Sequence, residues 1–584
     1  MKILLAAINA KYIHSNPAIY SLRAYAGEAL QKHIELAEYT INQYMPEILA
    51  DIYTRKPEVI GFSCYIWNWT LVQELLTELP KLLPETDIWL GGPEVSYDAD
   101  KIMERYPRLA GIMIGEGEAT FRELAEYYLE AEESRGAAGR KGLEEIPGLY
   151  LSDGYTPMRA PTNLTDIPFL YHDLTPFENK IIYYESSRGC PYRCNYCLSS
   201  IDRSLRMRDI SVVKKELQFF LDNRVKQVKF VDRTFNCNHE HAKAVWQYIK
   251  DNDNDVTNFH FEISADILRE DEIDLLNSFR PGLAQLEIGV QTVNPDTLKA
   301  IRRVMNIDRL EKLVAAIHRG KNIHQHLDLI AGLPFEDYES FGKSFNRVYQ
   351  MHPEQLQLGF LKVLKGSEMW ERAEEYGIRY LDRPPYEVLY TRWLSYEDIL
   401  RLKGIEEMVE LYYNSGQFSR TLPVLESAFE TPFAMYERLA AFYREKGYGA
   451  GSPARVRRYQ ILLDFTVEYD RGRLPLYREL LTYDMYLREN LKSRPEFAPD
   501  ISPYREKIRE FYRREEKERR YLPDYEGFDW KQLGRMTHLE PLALAGREED
   551  SGQFSGPCFV LFDYKKRNPL NYEARTQIIR GEDI

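Results

Sequence analysis

Cys190, Cys194 and Cys197 stand in the run Ser-Ser-Arg-Gly-Cys-Pro-Tyr-Arg-Cys-Asn-Tyr-Cys, a C-x3-C-x2-C spacing that puts three thiols in one short loop. Three thiolates can bind three corners of a cubane iron–sulfur cluster and leave the fourth iron open to a substrate or a second cofactor. A structural zinc site usually takes four protein ligands, most often as two paired knuckles, and no second C-x2-C or H-x3-H lies nearby. A disulfide needs an oxidising compartment. The amino-terminal residues do not read as a secretory segment, so a reducing, cytoplasmic setting is expected. Gly189 and Pro191 flank the first cysteine and argue for a built loop over chance clustering.

The loop follows the apolar run Ile181-Ile182-Tyr183-Tyr184, and apolar runs alternate with helical patterns from there to about residue 365. Strands are expected over residues 181–185, 227–231, 259–263, 285–288, 325–329 and 356–361. A helix over residues 337–351 sets Phe341, Phe345, Val348 and Tyr349 on one face. Six such units predict a partial (βα)6 barrel with its chemistry at the carboxyl ends of the strands. Those ends carry Asp232 after the second strand, Glu262 and Asp266 about the third, Glu287 and Gln291 on the fourth, and Asp328 and Gly332 on the fifth. Carboxylates there suit an ammonium group or a cis-diol, because they accept hydrogen bonds from both. The competing role is helix capping, or pairing with Arg233 or Arg302. Arg193, inside the loop, either steadies cluster charge or is an exposed spacer.

The first 130 or so residues repeat the alternation, with apolar runs at 2–6, 34–41, 59–64, 88–90 and 111–114 and a helical pattern at 71–83. They predict a doubly wound parallel sheet, whose ligands bind in the loops at the carboxyl ends of the strands. The loops are residues 9–16, 65–69, Gly91-Gly92-Pro93-Glu94 and Gly115-Glu116-Gly117-Glu118. The last of these is no dinucleotide fingerprint: it lacks the third glycine and follows the last strand. Its glycines instead let a large flat ligand approach the backbone.

The C-x3-C-x2-C loop, with the aromatic Tyr196 before its third cysteine, resembles the radical S-adenosylmethionine superfamily. The resemblance implies a four-iron four-sulfur (4Fe-4S) cluster on Cys190, Cys194 and Cys197. It also implies S-adenosylmethionine chelated to the open iron and cleaved reductively to a 5′-deoxyadenosyl radical. Tyr196, Asp232, Glu262, Gln291 and Gly332 are the candidates for holding that cofactor, Glu262 first, at the ribose or the amine. The Gly-Gly-Pro-Glu and Gly-Glu-Gly-Glu segments resemble the cobalamin-binding domain at the N-terminus of one large branch of the superfamily. The cobalamin candidates are His14, Tyr65, Gly91, Gly92, Glu94, Gly115, Gly117 and Glu118. Stand-alone cobalamin domains carry Asp-x-His-x-x-Gly after the first strand, and its histidine binds cobalt from below. Here the loop reads Asn-Ala-Lys-Tyr-Ile-His-Ser-Asn. His14 is a candidate displaced ligand, although a lone loop histidine more often packs or faces water.

The implied organisation is a cobalamin-binding domain over residues 1–134, a connector over 135–179 with a hairpin at Asp153-Gly154, a partial barrel over 180–370, and a mostly helical accessory domain over 371–584. Helices are expected there at 396–413, 421–445 and 504–521, with a short strand at 558–562. Cys64, Cys237 and Cys558 are expected as small core residues, Cys64 alone being near enough to face cobalamin. The implied reaction is methylation of an unactivated carbon, by hydrogen abstraction and then methyl delivery from methylcobalamin. The alternatives are a rearrangement or cyclisation with the same cofactors, and a cobalamin or cluster sensor without turnover. A sensor needs no polar ring at the barrel mouth.

Of the 584 residues 44% are hydrophobic, enough for large cores, and no apolar stretch is long enough for a membrane span. The net charge of −14 disfavours nonspecific nucleic-acid binding by the whole surface. Residues 451–520 carry 17 Lys+Arg against 13 Asp+Glu, a local balance of +4, and the chain has 42 tyrosines. These permit a tRNA base as substrate, but mixed-charge helices are usually solvated faces. A small or medium-sized metabolite is therefore favoured over tRNA, with the C-terminal region closing the barrel mouth and a flavodoxin- or ferredoxin-type protein supplying electrons.

Overall fold

Every residue of strand β1, Ile3–Asn9, is buried, because its alternating side chains serve two cores. Leu4, Ala6 and Ile8 pack with Ile48, Ile52, Val72 and Leu75 on one side. Ile3, Leu5 and Ala7 pack with Ile19, Phe121 and Leu124 on the other. β2 (Ile34–Thr40), β3 (Val59–Ser63), β4 (Asp87–Gly91) and β5 (Leu109–Met113) join it in one parallel sheet, with helices on both faces. The computed structural model describes residues 1–134, 142–450, 453–542, 558–581 and 584.

Two short antiparallel strands, β6 (Leu149–Leu151) and β7 (Gly154–Tyr155), extend this sheet beyond β5 to the order β2-β1-β3-β4-β5-β6-β7. The hairpin at Asp153-Gly154 is therefore part of the sheet rather than of a free connector. Ile146 and Leu149 draw it in by burying themselves in the second of the two cores.

After β4 the chain turns at Gly92, where φ is +109° and a Cβ would lie 2.5 Å from the Cys64 carbonyl oxygen. Gly92→Ala is expected to destabilise the fold by about 3 kcal/mol, the sum of backbone strain and overpacking; the midpoint of a denaturant titration measures it.

The second sheet is the partial barrel. Its strands are β8 (Ile182–Tyr184), β11 (Gln227–Phe230), β12 (Asn258–Ile263), β13 (Ala284–Gln291), β14 (His324–Ala331) and β15 (Gln355–Phe360), all parallel, in the order β15-β14-β13-β12-β11-β8. Between β8 and β11, the short pair β9 (Ser187–Arg188) and β10 (Arg206–Met207) brackets the cysteine loop. On the outer face Val228, Phe230, Phe259, Phe261, Leu286 and Ile288 are fully buried against helices. The intervening inward residues are polar and only partly buried.

The core continues into the C-terminal helices. Pro432–Glu445 packs on the barrel flank, with Phe433 and Tyr436 against Phe345 and Tyr349, and Tyr396–Met408 packs beside it. The helix expected over 421–445 is two helices, Thr421–Glu426 and Pro432–Glu445, because Pro432 takes the N1 position under a Thr431 cap. The helix expected at 396–413 ends its regular part at Met408 and continues as a π-helical turn to Asn414. The helix expected at 504–521 spans Arg505–Glu518 and stops where Arg519 turns left-handed. The short strand at 558–562 is the middle of a three-stranded antiparallel sheet of Thr537–Leu542, Cys558–Arg567 and Ala574–Arg580. Among the described residues no helix is long and apolar enough to cross a membrane.

Candidate functional site

The cysteine loop is fixed by backbone, not by its thiols. Cys190 N donates to Asp202 O at 3.1 Å, Asn195 N to Ile301 O at 3.1 Å, and Met369 N to Asn195 O at 2.9 Å. Gly189, at φ +91°, passes so close to the Ser204 carbonyl that a Cβ would come within 2.5 Å of it. These ties turn all three cysteines into one cavity of about 180 Å³ at the carboxyl end of the barrel. Among the described residues no three His, Cys, Asp or Glu side chains converge as a single metal ion requires; thiolates on three separate irons of one cubane have no such need.

The same cavity is lined by Tyr196, Glu262, Glu287, Gln291, Arg303 and Asp328. Burial pushes the Glu262 carboxyl up to about 7, against the pull of the Arg233 guanidinium, 3.9 Å away. Burial also raises the Cys194 thiol, and Arg303 opposes it with an N–H 3.8 Å from Cys194 Sγ. Gln291 adopts φ +73°. Its buried Oε1 and the buried Nε of Arg303 have no hydrogen-bond partner. Ammonium, carboxylate and ribose hydroxyls fit such a donor and acceptor set.

Two of the expected cofactor residues lie elsewhere. Asp232 is buried and accepts from Ser186 N at 3.0 Å, Ser186 Oγ at 2.7 Å and Ser187 Oγ at 2.6 Å. Burial raises it to about 6 despite those bonds. It braces the start of the cysteine loop and does not line the cavity. Gly332, at φ +90°, packs against Val388.

A second cavity, of about 730 Å³, lies where the first sheet reverses its strand order between β1 and β3. Such a crevice is the usual ligand site of a doubly wound sheet. Asn9, His14, Ser15, Asn16, Tyr65 and Trp67 line its floor. Tyr65 and Trp67 stack at 4.4 Å with 7° between their planes. This flat apolar platform, beside neutral hydroxyl and carboxamide groups, fits a large macrocycle fringed with amides. His14 Nδ1 lies 2.6 Å from the Tyr183 hydroxyl; burial, Lys11 and Lys229 lower its pKa.

The glycine-rich loops do other work. Gly91, Gly92 and Glu94 do not line this cavity: Glu94 bonds the Tyr386 hydroxyl and lies 3.3 Å from Lys365 Nζ, which ties the first sheet to the segment beyond the barrel. Gly115 and Gly117 do not line it either, while Glu118 does. Glu118 pairs with Arg188 at 2.8 Å, and Glu116 with Arg188 at 3.5 Å and with Arg206. Burial raises Glu116, but Arg206, the Thr162 amide and Arg188 outweigh it and hold the carboxyl below its usual range. The Gly-Glu-Gly-Glu segment thus locks the first sheet onto the strands bracketing the cysteines. Cys64 is buried, with its thiol turned to Phe62 O, and Arg193 is exposed.

The two cavities share Ser199 and Arg233. Among the described residues none beyond Asp328 lines either. Arg303 and Trp67 were not singled out from the sequence. Arg303 follows Arg302 in a loop without periodicity, whereas Trp67 stands in a loop flagged as ligand-facing.

Family models match three segments: the B12 binding domain over residues 3–125, the radical SAM superfamily over 184–348, and a protein of unknown function, DUF4080, over 374–562. The chain is 25% identical over 501 residues to the cobalamin-dependent radical SAM methyltransferase TokK of Streptomyces tokunonensis, covering 77% of this chain and 68% of TokK. It is 25% identical to the 2-(S-pantetheinyl)-carbapenam-3-carboxylate methyltransferase of Streptantibioticus cattleyicolor, covering 66% of this chain and 61% of that protein. Its fold matches the cobalamin-dependent S-adenosylmethionine radical enzyme OxsB with aqua-cobalamin bound at a TM-score of 0.57, with 14% identity, over 83% of this chain and 79% of OxsB. It matches TsrM from Kitasatospora setae, with cobalamin and a [4Fe-4S] cluster, at 0.53, with 17% identity, over 66% and 79%.

Proposed function

From a chain that belongs to the radical S-adenosylmethionine enzymes carrying a cobalamin-binding domain, we propose a methyltransferase acting on an unactivated carbon of a small or medium-sized metabolite. The observation that carries this reading is the meeting of the two cavities at Ser199 and Arg233, which lets one substrate face both. When bound, the cluster with S-adenosylmethionine supplies the hydrogen-abstracting radical, and cobalamin supplies the methyl group.

The chain's residues hold, orient and exclude. Cys190, Cys194 and Cys197 are the cluster ligands, and the carboxylate of Glu262 and the carboxamide of Gln291 accept from the ribose or the amine. Arg303 offers its guanidinium to Cys194 and to the cofactor carboxylate. Tyr65 and Trp67 seat the corrin, and Arg233 orients the substrate at the seam. Fixing the spacing of the two cavities through Arg188, Arg206, Glu116 and Glu118 is the protein's main contribution. An external flavodoxin- or ferredoxin-type protein supplies electrons. A metabolite is favoured over tRNA because the basic helices of residues 451–520 line neither cavity.

Anaerobic turnover with trideuteromethyl S-adenosylmethionine is the test. A trideuteromethylated metabolite should appear together with 5′-deoxyadenosine and S-adenosylhomocysteine; 5′-deoxyadenosine with neither of the others would reject methyl transfer. Because His14 is engaged by Tyr183, His14→Ala should leave the absorption spectrum of bound cobalamin nearly unchanged. A displaced cobalt band would identify His14 as the axial ligand.

A further inference from the structure

The inner face of the barrel sheet is polar on three successive rungs. Register aligns Tyr183, Lys229, His260, Gln285 and His324 across five strands. The next rung toward the carboxyl end is Glu262, Glu287, His326 and Gln355. The third is Gly289, Asp328 and Gln357. Parallel strands usually read as continuous apolar runs, and barrel interiors are usually filled by branched aliphatic side chains. Here the inward groups remain solvent-accessible, Lys229 at 27% and Glu287 at 21%. Glu262, Glu287, Gly289 and Asp328 also line the cluster cavity, so the trough opens directly into it.

Its charges nearly cancel. Glu287 Oε2 is 3.1 Å from Lys229 Nζ and 3.0 Å from His260 Nε2. His326 Nε2 is 3.0 Å from Asp328 Oδ1. That pair is out of line for a hydrogen bond, and both atoms retain bonding capacity. A polyanion would meet Glu287 and Asp328, with Lys229 and His326 already engaged by them. A hydrocarbon would leave the buried His326 Nε2 and Asp328 Oδ1 without a hydrogen-bond partner, at about 1–3 kcal/mol each. Hydroxyl groups both donate and accept, and so satisfy imidazole, carboxylate and carboxamide alike.

We infer that this trough takes a neutral, polyhydroxylated small molecule, sugar- or cyclitol-like, as the substrate of the proposed radical chemistry. The inference rests on that reading of the site.

The test uses full-length holoenzyme with S-adenosylmethionine and reductant. The probes are three fractions of an extract of the producing cells: chloroform-soluble, aqueous retained on an anion or a cation exchanger, and aqueous retained on neither. The unretained neutral fraction should raise 5′-deoxyadenosine formation at least about fivefold, and His324→Leu and Gln355→Leu should each cut that stimulation about fivefold in protein that still holds iron and cobalamin. Stimulation by either other fraction instead, by none, or undiminished in both variants overturns the inference. Basal 5′-deoxyadenosine without extract reports separately on the enzyme class; its absence in every arm refutes the class, and this inference with it.

Discussion

The triple variant Cys190→Ala, Cys194→Ala, Cys197→Ala is expected to hold no iron or sulfide after anaerobic reconstitution, against about four irons per chain in the parent. The loss should come without unfolding. The loop is held by backbone bonds from Cys190 N, Asn195 N and Met369 N and by the β9–β10 pair, none of which needs a thiol. Circular dichroism of the variant should match the parent. Iron and sulfide undiminished in the variant would sink the assignment.

Glu262→Ala is expected to lower 5′-deoxyadenosine formation about a hundredfold or more, as truncation of a buried hydrogen-bonded charge does, with iron retained. The pH dependence follows from burial, which raises this carboxyl to about 7, with Glu287 and Asp328 adding and Arg233 opposing. Below that pH the group is protonated and a poor acceptor; above it the carboxylate accepts from ribose or ammonium. The KM for S-adenosylmethionine should therefore fall as pH rises through about 7, and Glu262→Gln should flatten the profile. Linkage gives the opposite sign for the fold. The folded state binds this proton more tightly, so the group's contribution to stability declines from the ordinary carboxyl range up to about 7. Full activity in Glu262→Ala would remove the residue from the site but leave the reaction class standing.

Apolar runs fixed most of the strands of both parallel sheets to within a few residues, because such strands must bury their outward faces. In residues 371–584 the same patterns marked helices and the middle strand of the terminal sheet, but not its two partners Thr537–Leu542 and Ala574–Arg580, whose mixed polar and apolar residues carry no clean alternation. At the site, the cysteine spacing is local and legible. Asp232 looked like a cofactor residue because it ends a strand, yet Ser186 and Ser187 claim its carboxylate. Glycines 91, 92, 115 and 117 announced turns without saying what approaches them. The period-two polarity of His260, Glu262, His326 and Asp328 was present in the sequence, but only register turns it into a trough.

The hairpin β6–β7 also decides where the chain tolerates being cut. β5 pairs with β4 on one side and with Leu149 and Tyr150 on the other, and Ile114 N reaches Gly148 O at 2.8 Å. A fragment ending at residue 134 keeps five parallel strands but leaves β5 as an unshielded margin of amides and carbonyls, a template for pairing with other chains. A fragment that continues past Pro157 carries its own guard strand. A fragment trimmed to residue 134 is therefore expected to self-associate more than one that continues past Pro157.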